Sequence, residues 1–200
     1  MTRRYKVNVL DYIVTSNHVH LLVTSRKGKE ISEGLRYLHG LTGQWYNSQR
    51  GQDGSFWSDR FHSTMIQDGK HLGRCLFYID LNMVRTGVVD HPSKWEHTAY
   101  HEFMGKRQRY KIVNTERLLK CLGVKDIETF RKWYIKTLNG LLDLPERKRP
   151  PRQPYWAKAL AVGDIDWLNG KVKSTGIKRY KIVSTGKEFY LTGHTGKELE

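Results

Sequence analysis

Three stretches of the chain point to an α+β fold. Residues 6–15 and 18–24 alternate in polarity and read as strands, with Thr15-Ser16-Asn17 as a tight turn that returns the second antiparallel to the first. Ile31, Leu35, Leu38, Thr42 and Trp45 follow a 3.6-residue period and predict a helix over about 30–48. Leu72, Leu76, Ile79 and Met83 fall on one stripe at 100° per residue and predict a second helix over about 69–85.

Taken in order, the returning strand places Val19, Leu21 and Val23 on one face and His18, His20 and Leu22 on the other, and the first face reads as core. Gly51-Gln-Asp-Gly54 ends the first helix. Phe56 to Ile66, rich in aromatic and β-branched residues, reads as a third strand. Asp68 is the expected N-cap of the second helix, which stops before Gly87. Residues 88–110 are irregular, with Pro92, Trp95 and Tyr100, and 115–122 and 126–142 read as helices. Pro145 to Pro154 is proline-rich and basic and reads as a linker. Tyr155 to Asn169 suggests a short helical pair around Gly163, and the last thirty residues a basic hairpin. The pentapeptide Arg109-Tyr-Lys-Ile-Val113 recurs at Arg179 to Val183, too short a match to define a structural repeat. These signals divide the chain at 1–105, a helical extension 106–143, the linker 144–154 and a basic segment 155–200.

Composition narrows the partners. Thirty-five Lys and Arg against twenty Asp and Glu give a net charge of +15, an excess that points to a polyanion, most often nucleic acid. No apolar run approaches the roughly 20 residues of a membrane span, and the first residues carry no signal-peptide pattern. Cys75 and Cys121 are too few for a disulfide scaffold and suit a reducing, cytoplasmic setting. No Walker-type glycine loop is present.

Two constellations carry chemistry. In a strand, His18 and His20 put both imidazoles on one face within roughly 7 Å, close enough to share a metal ion. With nine histidines in the chain, an exposed face that merely carries two of them is the plainer alternative. On the second helix Arg74, Tyr78, Asn82 and Arg85 form a stripe beside the core stripe, with Tyr78 and Asn82 as i, i+4 neighbours. A tyrosine beside an amide, flanked by arginines, suits phosphate handling; a half-buried tyrosine with a polar neighbour is the structural alternative.

Three segments in order, Asn17-His18-Val19-His20-Leu-Leu-Val23, Phe56-Trp57-x-Asp59-Arg60-Phe61-His62 and Tyr78-Ile-Asp-Leu-Asn82-Met-Val-Arg85-Thr-Gly87, resemble the REP-associated tyrosine transposases, relatives of the single-tyrosine HUH transposases. The similarity runs on through Pro92-x-x-Trp95 to Tyr100 and again at Ala159 to Gly163. The resemblance implies an antiparallel sheet flanked by helices, ferredoxin-like, with the histidine pair on central strands and the tyrosine on a packed helix. It further implies cleavage and rejoining of single-stranded DNA at hairpin-forming ends through a 5′-phosphotyrosine. Carried over by position, Tyr78 is the nucleophile and His18, His20 and Asn82 hold a divalent ion, Mg²⁺ or Mn²⁺. Two histidines should accept manganese at least as well as magnesium, which prefers oxygen donors. Arg60, Arg74 and Arg85 are the candidates for gripping DNA phosphate, while Trp57 and His62 have no assigned task. The expected partner is single-stranded or hairpin DNA, with a homodimer admissible and no membrane.

The chain departs from the family pattern in two ways. Relatives usually begin with a further strand and helix before the segment matching residues 5–23, so the sheet is expected to have an unpaired edge beside the histidine strand. Met83 stands where proline often follows the asparagine. A short, weakly catalytic DNA-binding relative, or an HUH-type replication or transfer initiator, are the alternatives.

Overall fold

In the computed structural model, which describes residues 1–145 and 152–193, a single turn of helix, α1 (Thr2–Tyr5), leads into a hairpin of β1 (Asn8–Val14) and β2 (Val19–Thr24). The strands are antiparallel with a register shift between Val9 and Asp11. The turn forms as expected: Thr15 N donates to His18 O at 2.8 Å, and the Thr15 hydroxyl bonds both His18 O and His18 N at 3.0 Å. Val9 through Ile13 are all buried, because both faces of β1 are covered and its outer edge is closed by backbone. Val14 N donates to His97 O, Ala99 N to Tyr12 O and Asn114 N to Val9 O, all at 2.8–2.9 Å. Among the described residues no strand pairs with the outer edge of β2.

The buried face of β2 differs from expectation. Leu22 is its one fully buried residue, while Val19 is 38% exposed. The second long helix lies over the side carrying His20 and Leu22, while Leu21 and Val23 on the expected face are half-buried against the core, so β2 is partly covered on both faces.

Helix α2 (Gly28–Arg50) starts where the Glu30 carboxylate accepts from the N–H groups of Arg26 and Lys27, and it ends at Gly51, whose φ of +58° is left-handed. It buries only Gly34 and Leu35. The strand expected over Phe56–Ile66 shrinks to β3 (Met65–Ile66). Trp57 is drawn onto α2 instead, stacked on His39 at 4.3 Å and donating to His39 O and Thr42 Oγ1 at 3.2 Å. Only Met65 and Ile66 find a strand partner.

Helix α3 (Lys70–Asp80) is followed, after Leu81, by a single turn, α4 (Asn82–Arg85), so the one expected helix is divided. Leu81 N and Arg85 N still bond the carbonyls four residues back, and the side-chain spacing survives the break. The N-cap is Gly69, at φ +77°, rather than Asp68; Gly69 N donates to Cys121 O, which ties the start of α3 to a later helix. Beyond a 3₁₀ turn at Pro92–Lys94 come α5 (Tyr100–Phe103), α6 (Thr115–Leu122) and α7 (Ile127–Leu142). Asn114 and Asp126 cap the last two by accepting from Arg117 N and Thr129 N. Phe77, Phe103, Phe130 and Tyr134 pack ring to ring at 5.2–5.6 Å in the core between α3 and α7.

The C-terminal part comprises α8 (Tyr155–Lys158), β4 (Ala161–Gly163), α9 (Ile165–Thr175), β5 (Tyr180–Ser184) and β6 (Phe189–Gly193). The basic hairpin is present, but Gly163 closes a buried strand rather than separating two helices. A Cβ there would fall 2.6 Å from Gln67 Oε1 and 2.7 Å from the Trp167 ring, so only glycine fits. The strands order as β3-β4-β6-β5, with β3 and β4 parallel and the rest antiparallel. The protein thus has antiparallel sheets flanked by helices, but two of them, and the histidine strand is an edge rather than a central strand. Residues 146–151 of the expected linker and 194–200 of the tail lie outside the described residues. No described helix is long and apolar enough to cross a membrane.

Candidate active site

Each side chain of the site is placed by a local feature already met. The hairpin turn sets His18 at the exposed mouth of β2, where its Nδ1 bonds Asn17 Oδ1 at 2.8 Å. Two residues on, His20 is half-buried on the same face, with ring centroids 6.4 Å apart and planes within 10°. α3 brings Tyr78 over this face, its ring meeting that of His20 edge-on at 6.2 Å. One turn later Asn82 presents its amide 3.3 Å from His20 Nε2. Arg85 follows, with its guanidinium 4.5 Å from the Tyr78 ring centre and Nη2 donating to Tyr78 O at 2.6 Å. His18, His20, Tyr78, Asn82 and Arg85 therefore converge.

The other two candidate arginines do not join them. Arg74 turns away, donating to Glu188 Oε1 at 2.6 Å and to Lys187 O at 2.7 Å. Arg60 is exposed in the irregular segment before β3, and no hydrogen bond, ion pair or ring contact links its side chain to the histidines or Tyr78. His62 is exposed in the same segment.

Tyr78 is only 8% exposed. Trp156 of α8 lies 6.3 Å from its ring, so the C-terminal part walls the site. Among the described residues nothing bonds the Tyr78 hydroxyl, which leaves that oxygen uncommitted.

Burial, then the neighbouring His18, Arg85 and Arg152, hold the His20 imidazole below the ordinary histidine range. His20 is thereby kept in its neutral, ligating form. Burial also lowers Arg85, with Tyr78 opposing and Arg152 adding to that shift. Arg152 and Trp156 are site neighbours that sequence reasoning missed; one was hidden in a basic linker, the other among six tryptophans.

The donor set fits a divalent ion that tolerates nitrogen. It comprises two imidazoles and an amide whose oxygen and nitrogen can exchange places by a flip. Among the described residues no group of three or more His, Cys, Asp and Glu is placed to hold a metal, so Asn82 is the third donor at hand.

A second device holds the helix in place. Asp80 lies two residues, about 200° of helical turn, from Tyr78 and is buried on the opposite side. It accepts from Tyr134 Oη at 2.6 Å and from Thr98 Oγ1 at 3.1 Å. Asp11 of β1 is equally buried nearby, with Oδ1 bonded to Tyr12 N and Oδ2 without a partner.

Residues 1–82 match the model of a transposase family described as IS200-like, a segment that contains His18, His20, Tyr78 and Asn82. That match supports a transposase, a DNA-processing enzyme, in general terms. No curated protein and no solved structure matches the chain.

Proposed function

We propose that this protein cleaves and rejoins single-stranded DNA at hairpin-forming ends, with Tyr78 as the nucleophile. The observation that carries this reading is the convergence of Tyr78, His20 and Asn82 on one face of the hairpin, with the His20–Asn82 contact at 3.3 Å and the two rings 6.2 Å apart. The IS200-like match over residues 1–82 supports it independently.

In the forward step the Tyr78 hydroxyl oxygen attacks phosphorus and the P–O3′ bond breaks. The 5′ phosphate is left on tyrosine, and the departing 3′ oxygen takes up a proton in place of the one lost by the phenol. His18, His20 and Asn82 hold a divalent ion, which supplies Lewis-acid neutralisation of the phosphate when bound. Arg85 puts a fixed positive charge over the Tyr78 ring, where it attracts phosphate. Because a phenol has a pKa of about 10, tyrosine leaves more readily than an alkoxide, so the 3′-OH can reverse the step without ATP.

The test is incubation of the full chain with end-labelled hairpin single strands and Mn²⁺, followed by denaturing electrophoresis. A covalent adduct carrying the strand 3′ of the nick, absent in Tyr78→Phe and in His20→Ala, is the expected result. DNA binding with no adduct under any divalent ion would overturn the cleavage reading and leave a DNA-binding relative of such enzymes.

A further inference from the structure

At the other end of the hairpin, α1, the start of β1 and the segment before α6 enclose an open cavity of about 690 Å³. Its charged lining is Arg3, Lys6 and Arg26, and no carboxylate lines it. All three cations are exposed, and among the described residues none is in an ion pair, whereas the adjacent Arg4 is engaged over the Tyr5 and Tyr37 rings. Glu30 and Glu102 lie close by but are bonded to the backbone N–H groups of Arg26 and of Ile112 and Val113, so three exposed cations outside any ion pair face one hollow, and a bound polyanion relieves their mutual repulsion. The first turn of α6 also borders the cavity and adds the partial positive charge of a helix start.

Beside the cavity, two residues before its lining residue Ile112, Tyr110 stands 89% exposed between Arg109 and Lys111. Its φ is +55°, and that of Lys6 is +53°; apart from glycines these are the two described residues in the left-handed region. Side chains adopt that region at a cost of roughly 1 kcal/mol or more, and such strain gathers at functional sites. Lys6 takes that form as the residue that ends α1, whereas no helix ends at Tyr110 to account for its own. In the second copy of the pentapeptide Tyr180 to Val183 lie in strand β5, so the left-handed form of Tyr110 is not intrinsic to the sequence Arg-Tyr-Lys-Ile-Val.

We propose that this face is a second contact surface for single-stranded DNA: phosphates lie in the cavity against Arg3, Lys6 and Arg26, and an unpaired base stacks on Tyr110. A duplex would use the cations but leave the ring idle, since only an unpaired base offers its flat face. The hairpin register sets the spacing. Asn8 faces Thr24 at the cavity and Ile13 faces His20 at the active site, four residues of β2 or about 14 Å apart, the extra residue of β1 being taken up at the register shift. The proposal rests on the single-stranded substrate read above, and it gives that strand a path.

The test is fluorescence anisotropy of the full chain with labelled dT12, a matched duplex and a polyglutamate peptide, across a salt series with EDTA and no added metal. The variants are Arg3→Ala/Lys6→Ala/Arg26→Ala, Tyr110→Ala and Tyr110→Trp, with circular dichroism to check folding. The triple variant should bind dT12 at least tenfold more weakly, with its log–log salt slope reduced by about 2, three contacts at roughly 0.7 each. Tyr110→Ala should weaken dT12 binding about tenfold at an unchanged slope, leave duplex binding alone, and be rescued in Tyr110→Trp. Unchanged affinity and slope in the triple variant, or no effect of Tyr110→Ala on dT12, would overturn the proposal. Loss of polyglutamate binding as large as that of dT12 would overturn it in favour of an acidic protein partner. Because this assay needs neither metal nor cleavage, absence of the Tyr78 adduct would sink the reaction while leaving this surface standing, and the reverse holds.

Discussion

The guanidinium of Arg85 does two things to Tyr78 at once: it covers the ring at 4.5 Å and bonds the same residue's backbone carbonyl at 2.6 Å. The break after Leu81 allows this, because it lets a residue seven positions on fold back over the ring. A planar cation held so is oriented as well as charged, which lysine cannot reproduce. Arg85→Ala should slow adduct formation by about 10²-fold, the usual cost of removing one preorganised charge donor. Arg85→Lys should recover only part of that loss. Single-turnover rates at saturating DNA measure both; a lysine variant as fast as wild type would mean that charge alone matters.

The amide of Asn82 lies 3.3 Å from His20 Nε2. If its amide oxygen completes the donor set, Asn82→Ala should weaken Mn²⁺ binding by roughly 10- to 100-fold, the scale of losing a supporting ligand. Asn82→Asp, which adds an anionic oxygen, should bind at least as tightly as wild type. Titration followed by Mn²⁺ electron paramagnetic resonance, without DNA, separates this from effects on substrate. Equal affinity in wild type and Asn82→Ala would remove Asn82 from the metal site.

Local signals were legible where local chemistry decides. The Thr15–His18 turn and the stop before Gly87 depend on residues within one turn of each other, and the structure has them, whereas the cap expected at Asp68 passed to Gly69, whose N–H is tied to Cys121 far along the chain. The convergence of Tyr78 and Asn82 was legible too, because it follows from i, i+4 spacing. What failed depended on distant partners. The full burial of Leu22, on the face opposite the expected Leu21 and Val23, is set by α3 more than fifty residues away, and period-2 alternation cannot say that such a helix covers it. Phe56–Ile66 has strand composition, but Trp57 finds a better partner in the His39 ring. Arg74 shared a helical stripe with Tyr78, yet its destination is a carboxylate 114 residues on. No pattern near Trp156 marked it as a wall of the site.

That distant carboxylate supports a prediction about assembly of the fold. Glu188, just before β6, is buried, bonds His71 Nδ1 and accepts from Arg74, so one side chain fastens the C-terminal sheet to the helix carrying Tyr78. Asp164 stands 3.2 Å from the other ring nitrogen of His71. Removing one member of a buried ionic cluster leaves the others uncompensated, at a typical cost of 3–5 kcal/mol. Since Arg74 is half in solvent, Glu188→Ala should sit at the low end, about 3 kcal/mol. Guanidinium denaturation reads the loss, and trypsin should cut within 171–187 sooner than in wild type. A loss below about 1 kcal/mol with unchanged cleavage would mean that the sheet is held by its apolar contacts alone.

The Asp11–Asp80 pair should make stability depend on pH in the opposite sense to surface carboxylates. Burial raises the Asp80 carboxyl to about 7, against its hydrogen bonds from Tyr134 and Thr98. Burial and then the charge of Asp80 raise Asp11 well above the carboxylate range, with the Tyr12 N–H opposing. A carboxyl raised in the folded state binds more protons there than in the unfolded chain. Its stabilising contribution is therefore complete below about pH 4 and is lost as pH climbs through about 7. Asp11→Asn removes one of the two charges and puts an amide where Oδ2 now has no partner. It should leave stability near pH 4 little changed and raise it at pH 8 by at least about 1 kcal/mol, the scale of a shift of one pH unit. Taking the difference between variant and wild type at each pH cancels the surface groups, whose carboxyls at Asp90, Asp126 and Asp164 are shifted downward. Denaturation curves at both pH values decide the matter: a variant less stable than wild type at pH 8 would mean that Asp11 is held ionised by a partner, and that the two carboxylates do not oppose each other behind Tyr78.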